Sequence, residues 1–126
     1  MKVVFHEDFN QVYTSDPAAA FGRMESIVET IEPYVEFVPA EPALRQHIVA
    51  VHTDMHIQKV ENQGLYEIAT LAAGGAIQAA QIGLSEPCFG LIRPPGHYAS
   101  AASSWGFCYF NNLAVGLRSA TATEQN

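Results

Sequence analysis

The chain has 126 residues, 48% of them hydrophobic, and a formal net charge of −7 from six basic and thirteen acidic side chains. That length is one domain with room for a core, and the apolar content is too high for a disordered chain. The acidic balance excludes the basic patch with which a protein neutralises nucleic-acid phosphates.

Residues 3–5 form a short β-branched apolar run that reads as a buried strand. Residues 10–17 are polar and turn-rich. A helix is predicted over 23–31, where Met24, Ile27, Val28 and Ile31 recur on one face and Pro33 ends the run. Residues 35–38 read as a second strand closed by Pro39, and residues 41–47 as a short helix after Pro42. A long alanine-rich helix is predicted over 65–84. Gly74 and Gly75 inside it cost roughly 1 kcal/mol each relative to alanine, so a neighbouring element should come close there. Residues 88–92 read as a third strand, 112–120 as the start of another helix, and 119–126 as a polar tail.

Strands and helices alternate, which predicts an α/β fold: a parallel sheet with helices on both faces, Rossmann-like and three-layered, in a single domain over 1–126. Sites in such sheets lie at the carboxyl ends of strands. No apolar run approaches a membrane span, and residues 1–5 give way to His6, Glu7 and Asp8 too soon for a secretory signal. Cys88 and Cys108 form no CxxC pair and read as reduced thiols of a cytoplasmic protein.

The third strand leads into Arg93-Pro94-Pro95-Gly96-His97-Tyr98-Ala99. Two prolines fix two φ angles and a glycine frees a third, so His97 is held in place. A working imidazole needs such placement, to within about half an ångström; a turn whose histidine caps the sheet would look the same. Further on comes Gly106-Phe107-Cys108-Tyr109-Phe110-Asn111-Asn112, with an asparagine suited to cap the next helix. His52-Thr53-Asp54-Met55-His56 reads H-x-D-x-H. On a strand these side chains would share one face and suit a metal. The preferred reading makes Thr53 or Asp54 the N-cap of a helical segment. His6 and His47 stand alone, as surface or satisfied core residues.

Together, Arg93–Ala99 and Gly106–Asn112 closely resemble the active-site signature of the histone deacetylase and acetylpolyamine amidohydrolase family. Val51-His52-Thr53 and the 65–84 helix are similar to the family's segments before it. The resemblance implies an arginase/deacetylase-type fold. It also implies a zinc-dependent hydrolysis in which metal and histidine activate a water against an acetyl amide. His97 matches the first histidine of the family's pair. Tyr98 stands where the family has its second. A phenol with a reference pKa of about 10 is a poor base beside an imidazole of about 6.5. Tyr98 therefore either donates a hydrogen bond to an oxyanion or packs at the pocket mouth. Gly106 and Phe107 match the wall of the channel that takes the substrate's methylene chain.

The family's metal ligands, an Asp-x-His segment and a later aspartate, have no match here. The expectation is therefore the amino-terminal portion of a deacetylase-like domain, truncated, holding no metal or cofactor of its own and inactive alone. Zinc is expected only for the complete domain. An acetylated amine is the expected substrate once the domain is completed, with no nucleic-acid or membrane partner. The alternative is a non-catalytic binding or self-assembly module. An open sheet edge and apolar helix faces predict a homo-oligomer in either case.

Overall fold

The computed structural model describes residues 1–125. Three strands, β1 (Lys2–Phe5), β2 (Glu36–Pro39) and β3 (Cys88–Gly90), form one parallel sheet in the order β2-β1-β3. Val4 pairs with Val38 on one side and Gly90 on the other. Among the described residues there are five α-helices: α1 (Arg23–Ile31), α2 (Arg45–Val49), α3 (Asp54–Asn62), α4 (Tyr66–Gly83) and α5 (Asn112–Gln125). None of the described helices is long and apolar enough to cross a membrane.

The central strand shows why the first apolar run has no alternation. Val4 faces α4, its Cγ1 in van der Waals reach of Gly75. Val3 points the opposite way, yet both are buried. Each face of β1 is therefore covered, and α1 supplies Met24, Val28 and Ile31 to the same apolar cluster. Ile27, expected on that apolar face, stays exposed.

Helix α4 separates two cores. Ile68, Leu71 and Ala72 join the sheet cluster, while Ala69, Ala73 and Ile77 join a second cluster with Ile48, Ile57, Val60, Phe110 and Val115. A helix apolar on all sides is a buried helix. Its small residues let neighbours come close. A Cβ on Gly74 would lie 1.8 Å from the Glu41 carbonyl oxygen, and one on Gly116 of α5 would lie 3.2 Å from the Ala76 oxygen.

The predicted 41–47 helix is displaced: α2 begins at Arg45. The backbone donors before it are committed to α4 instead. The Glu41 N–H donates to Gln78 Oε1 at 2.7 Å and the Ala43 N–H to the Thr70 carbonyl at 2.9 Å. Pro39 belongs to β2, which it was expected only to close; it pairs with Phe5, and because β2 is an edge strand a missing donor costs little there. The third strand stops at Gly90, although the Leu91 N–H still reaches the Val4 carbonyl. The expected polar tail is helical through Gln125, and Asn126 lies outside the described residues.

Candidate active site

The segment from Arg93 to Asn111 leaves the carboxyl end of β3 and is pinned at four places. Arg93 makes the first pin. The residue is 4% exposed, and its guanidinium donates from Nε to the Phe9 carbonyl, from Nη1 to those of Ala18 and Ala20, and from Nη2 to that of Gln11. It also lies 5.7 Å from the Tyr13 ring centroid. One side chain thus ties the irregular 9–20 segment to the loop. Burial pushes the Tyr13 phenol up to about 12, an effect the nearby Arg93 charge partly opposes.

The second pin is the start of α5. Asn111 caps that helix by accepting the Ala114 N–H and donates from Nδ2 to the Ala99 carbonyl. Asn112 donates to the Pro94 carbonyl at 3.1 Å. Gly96 makes this closeness feasible, since a Cβ there would sit 2.2 Å from the Phe110 oxygen. The Arg93–Pro94 peptide is cis.

The third pin is a tight hairpin. Trp105 and Cys108 bridge as antiparallel neighbours, with the Cys108 N–H on the Trp105 carbonyl at 2.8 Å. Gly106 and Phe107 between them have φ of 53° and 66°, both positive, as a type I′ turn requires. Such a φ is rare for phenylalanine, and here it turns Phe107 outward.

His97, Tyr98 and Gly106 come together. The His97 and Tyr98 ring centroids are 4.4 Å apart, and Tyr98 lies against Gly106, where a Cβ would meet its ring at 3.0 Å. Tyr98 is 63% exposed and His97 is exposed beside it. Phe107 stands on the same hairpin. His97 also borders an apolar groove of about 450 Å³ that runs past Gly90, Ile92, Pro95, Ala79 and Leu113.

The fourth pin comes from H-x-D-x-H. Thr53 is the N-cap of α3, accepting the His56 N–H. His52 and His56 lie one turn apart with centroids at 4.9 Å, and both are buried. His52 accepts the Asn111 N–H at Nε2 (2.9 Å) and faces the Ala101 carbonyl with Nδ1 (3.3 Å). His56 Nε2 meets the Tyr109 carbonyl at 2.7 Å. These nitrogens serve the loop, so the three-ligand metal reading fails. Among the described residues no group of three or more His, Cys, Asp or Glu is arranged to hold a metal, and the residues present do not fit a zinc ion. His6 accepts the Asp8 N–H and His47 that of Leu44, both as local caps.

Sequence reasoning found Thr53 as a cap and missed what the two imidazoles hold. It also took Arg93 only as part of a motif. A cation in a stretch otherwise apolar from Cys88 to Gly96 was the available signal.

Residues 18–126 match the family described as the histone deacetylase domain. The chain is 32% identical over 145 residues to a probable deacetylase of Archaeoglobus fulgidus, covering 90% of this chain and 39% of that protein. It is 27% identical over 121 residues to the histone deacetylase-like amidohydrolase of Pseudomonas aeruginosa, covering 79% of this chain and 32% of that one. The crystal structure of the HDA15 HD domain superposes with a TM-score of 0.79 over 98% of this chain and 44% of that chain; at 23% identity this is a likeness of fold. The chain spans under half the length of these relatives.

Proposed function

The chain belongs to the histone deacetylase domain family, and from that premise we propose that it supplies the acid/base and channel side of an amidohydrolase that removes an acetyl group from an amine. One observation supports this above others: His97 stands exposed at the carboxyl end of the sheet, on a loop fixed from several sides, against Tyr98 and Gly106. An imidazole in that position is placed to take up and give back a proton. The Tyr98 hydroxyl is a hydrogen-bond donor in reach of the same space, suited to an oxyanion. Phe107 and Gly106 would line the slot for the substrate's methylene chain. Zinc chemistry belongs to the family as a whole, and the donors described here do not provide for it.

The chain alone should therefore release no acetate from acetyl-lysine or acetylpolyamine substrates in a chelator-sensitive way. Acetate release that EDTA abolishes and zinc restores would overturn this. A cytoplasmic setting suits the two free thiols.

A second reading, self-association, has its own support. On the edge strand β3, Phe89 is 54% exposed, and Leu113, which lines the apolar groove, is 68% exposed. A second copy laid on this edge would cover them. Sedimentation should show a dimer or larger species at micromolar concentration. Phe89→Glu should weaken it at least about tenfold, since burying a charge in an apolar contact costs more than 1.4 kcal/mol. A parent chain that sediments as a monomer sinks this reading.

A further inference from the structure

We propose that His52 and His56 form a pH-sensitive clasp that positions the loop bearing Gly106 and Phe107. They are positioning residues and touch no substrate. The hydrogen bonds assign the proton on each ring. His52 Nε2 accepts the Asn111 N–H, so its proton is on Nδ1, toward the Ala101 carbonyl. The Thr53 N–H donates to that same carbonyl at 2.9 Å. A carbonyl cannot donate, so His56 carries its proton on Nε2, toward Tyr109. Its Nδ1 is buried with no partner. The clasp thus grips the loop on both sides of the hairpin, at Ala101 before it and at Tyr109 and Asn111 after it.

Both rings must be neutral for this to hold. A proton added to His52 Nε2 sets two N–H groups against each other at Asn111. A proton added to His56 Nδ1 places a donor and a charge in a buried position with no acceptor, 4.9 Å from the other ring. The surroundings offer little to offset either charge. The loop presents the carbonyls of Ser100, Ala101 and Tyr109 and the Phe110 ring. The titratable neighbour from α3 is His56 itself, with Asp54 on the same helix. From α4, Tyr66 meets Phe110 edge-on, and His47 of α2 is engaged with Leu44.

Burial and then the neighbouring His56 push the His52 imidazole below its ordinary value. The closed clasp therefore binds fewer protons than the open loop. Its hold is complete above about pH 6.5 and is lost as pH falls from there toward the lowered folded value, with opening favoured by up to about tenfold per pH unit in that window.

Amide exchange on the full chain reads this without any substrate, so it stands apart from the proposed activity. The Asn111 amide should lose up to about tenfold in protection factor per pH unit below about 6.5, while Ala72 and Ala73 of α4 keep theirs. Trp105, the single tryptophan, sits in the hairpin, and its emission should follow the same transition. His56→Phe should move the midpoint to higher pH, because the neighbouring imidazole that lowers His52 is gone, and His52→Gln should remove the pH dependence. Should a variant not fold, the parent exchange decides alone. Asn111 protection that stays flat from pH 7 to 5, or that falls together with Ala72 and Ala73, overturns the proposal.

Discussion

Gly74→Ala should cost about 3 kcal/mol or more, the reverse of what that change does in an ordinary helix. Alanine usually favours a helix interior by about 1 kcal/mol over glycine. Here the added methyl would sit 1.8 Å from the Glu41 oxygen, 2.6 Å from the Ala43 nitrogen and 2.7 Å from the Pro42 carbonyl carbon. All three are backbone atoms, so no side chain can swing away. The 39–43 segment is tied to α4 by Gln78, which accepts from Glu41 and donates to the Pro39 carbonyl, and by the Ala43–Thr70 bond. Making room means breaking those bonds, at the upper end of the cost of overpacking. Gly83→Ala is the control: nothing lies within 4 Å of it, and it should be neutral or gain up to about 1 kcal/mol. Urea denaturation followed by circular dichroism compares the two. A Gly74→Ala chain with the parent's midpoint would refute the packing of 39–43 on α4.

Arg93→Met should cost about 3–5 kcal/mol, although methionine fills similar space. The loss is in the carbonyls of Phe9, Gln11, Ala18 and Ala20, which would be left without the donors they have now. Each buried acceptor left unpaired costs about 1–3 kcal/mol, less where water can enter. Arg93→Lys should recover less than half, because one ammonium cannot span four acceptors that a planar fork reaches together. The phenol of Tyr13 offers an independent readout. With the guanidinium gone, its titration should move up from about 12, since Arg93 now lowers it. Equal stability of the methionine variant and the parent would show that the 9–20 segment is held by other means.

Much of the architecture was legible because it follows from local pattern. Residues 23–31 and 65–84 carried helical periodicity, the first with a stop at Pro33, and the observed ends agree to within a residue. Gly74 and Gly75 announced a close approach, and one is present at each. The errors share a physical cause. Residues 41–44 have helix-compatible chemistry, yet their donors go to Gln78 and Thr70, some thirty residues away in sequence. The site divides in the same way. Proline and glycine made the stiffness around His97 readable. The positive φ of Phe107, the four bonds of Arg93 and the grip of His52 on Asn111 are long-range or conformational, and composition does not encode them.

The position of β1 in the sheet also sets an order of events during synthesis. Of the three described strands, the first to be made is the middle one, flanked by β2 and β3. Its partner on one side ends at Pro39, but its partner on the other begins at Cys88, roughly fifty residues later. At about 5–20 residues per second that interval is on the order of 2–10 s. For that time the Val3–Phe5 run is an apolar strand with one row of backbone groups unpaired, a template for wrong partners. The alanine-rich α4 is made within the same interval and can cover one face before the edge is closed. A nascent-chain crosslink from Val4 should accordingly find α4 residues before it finds Gly90.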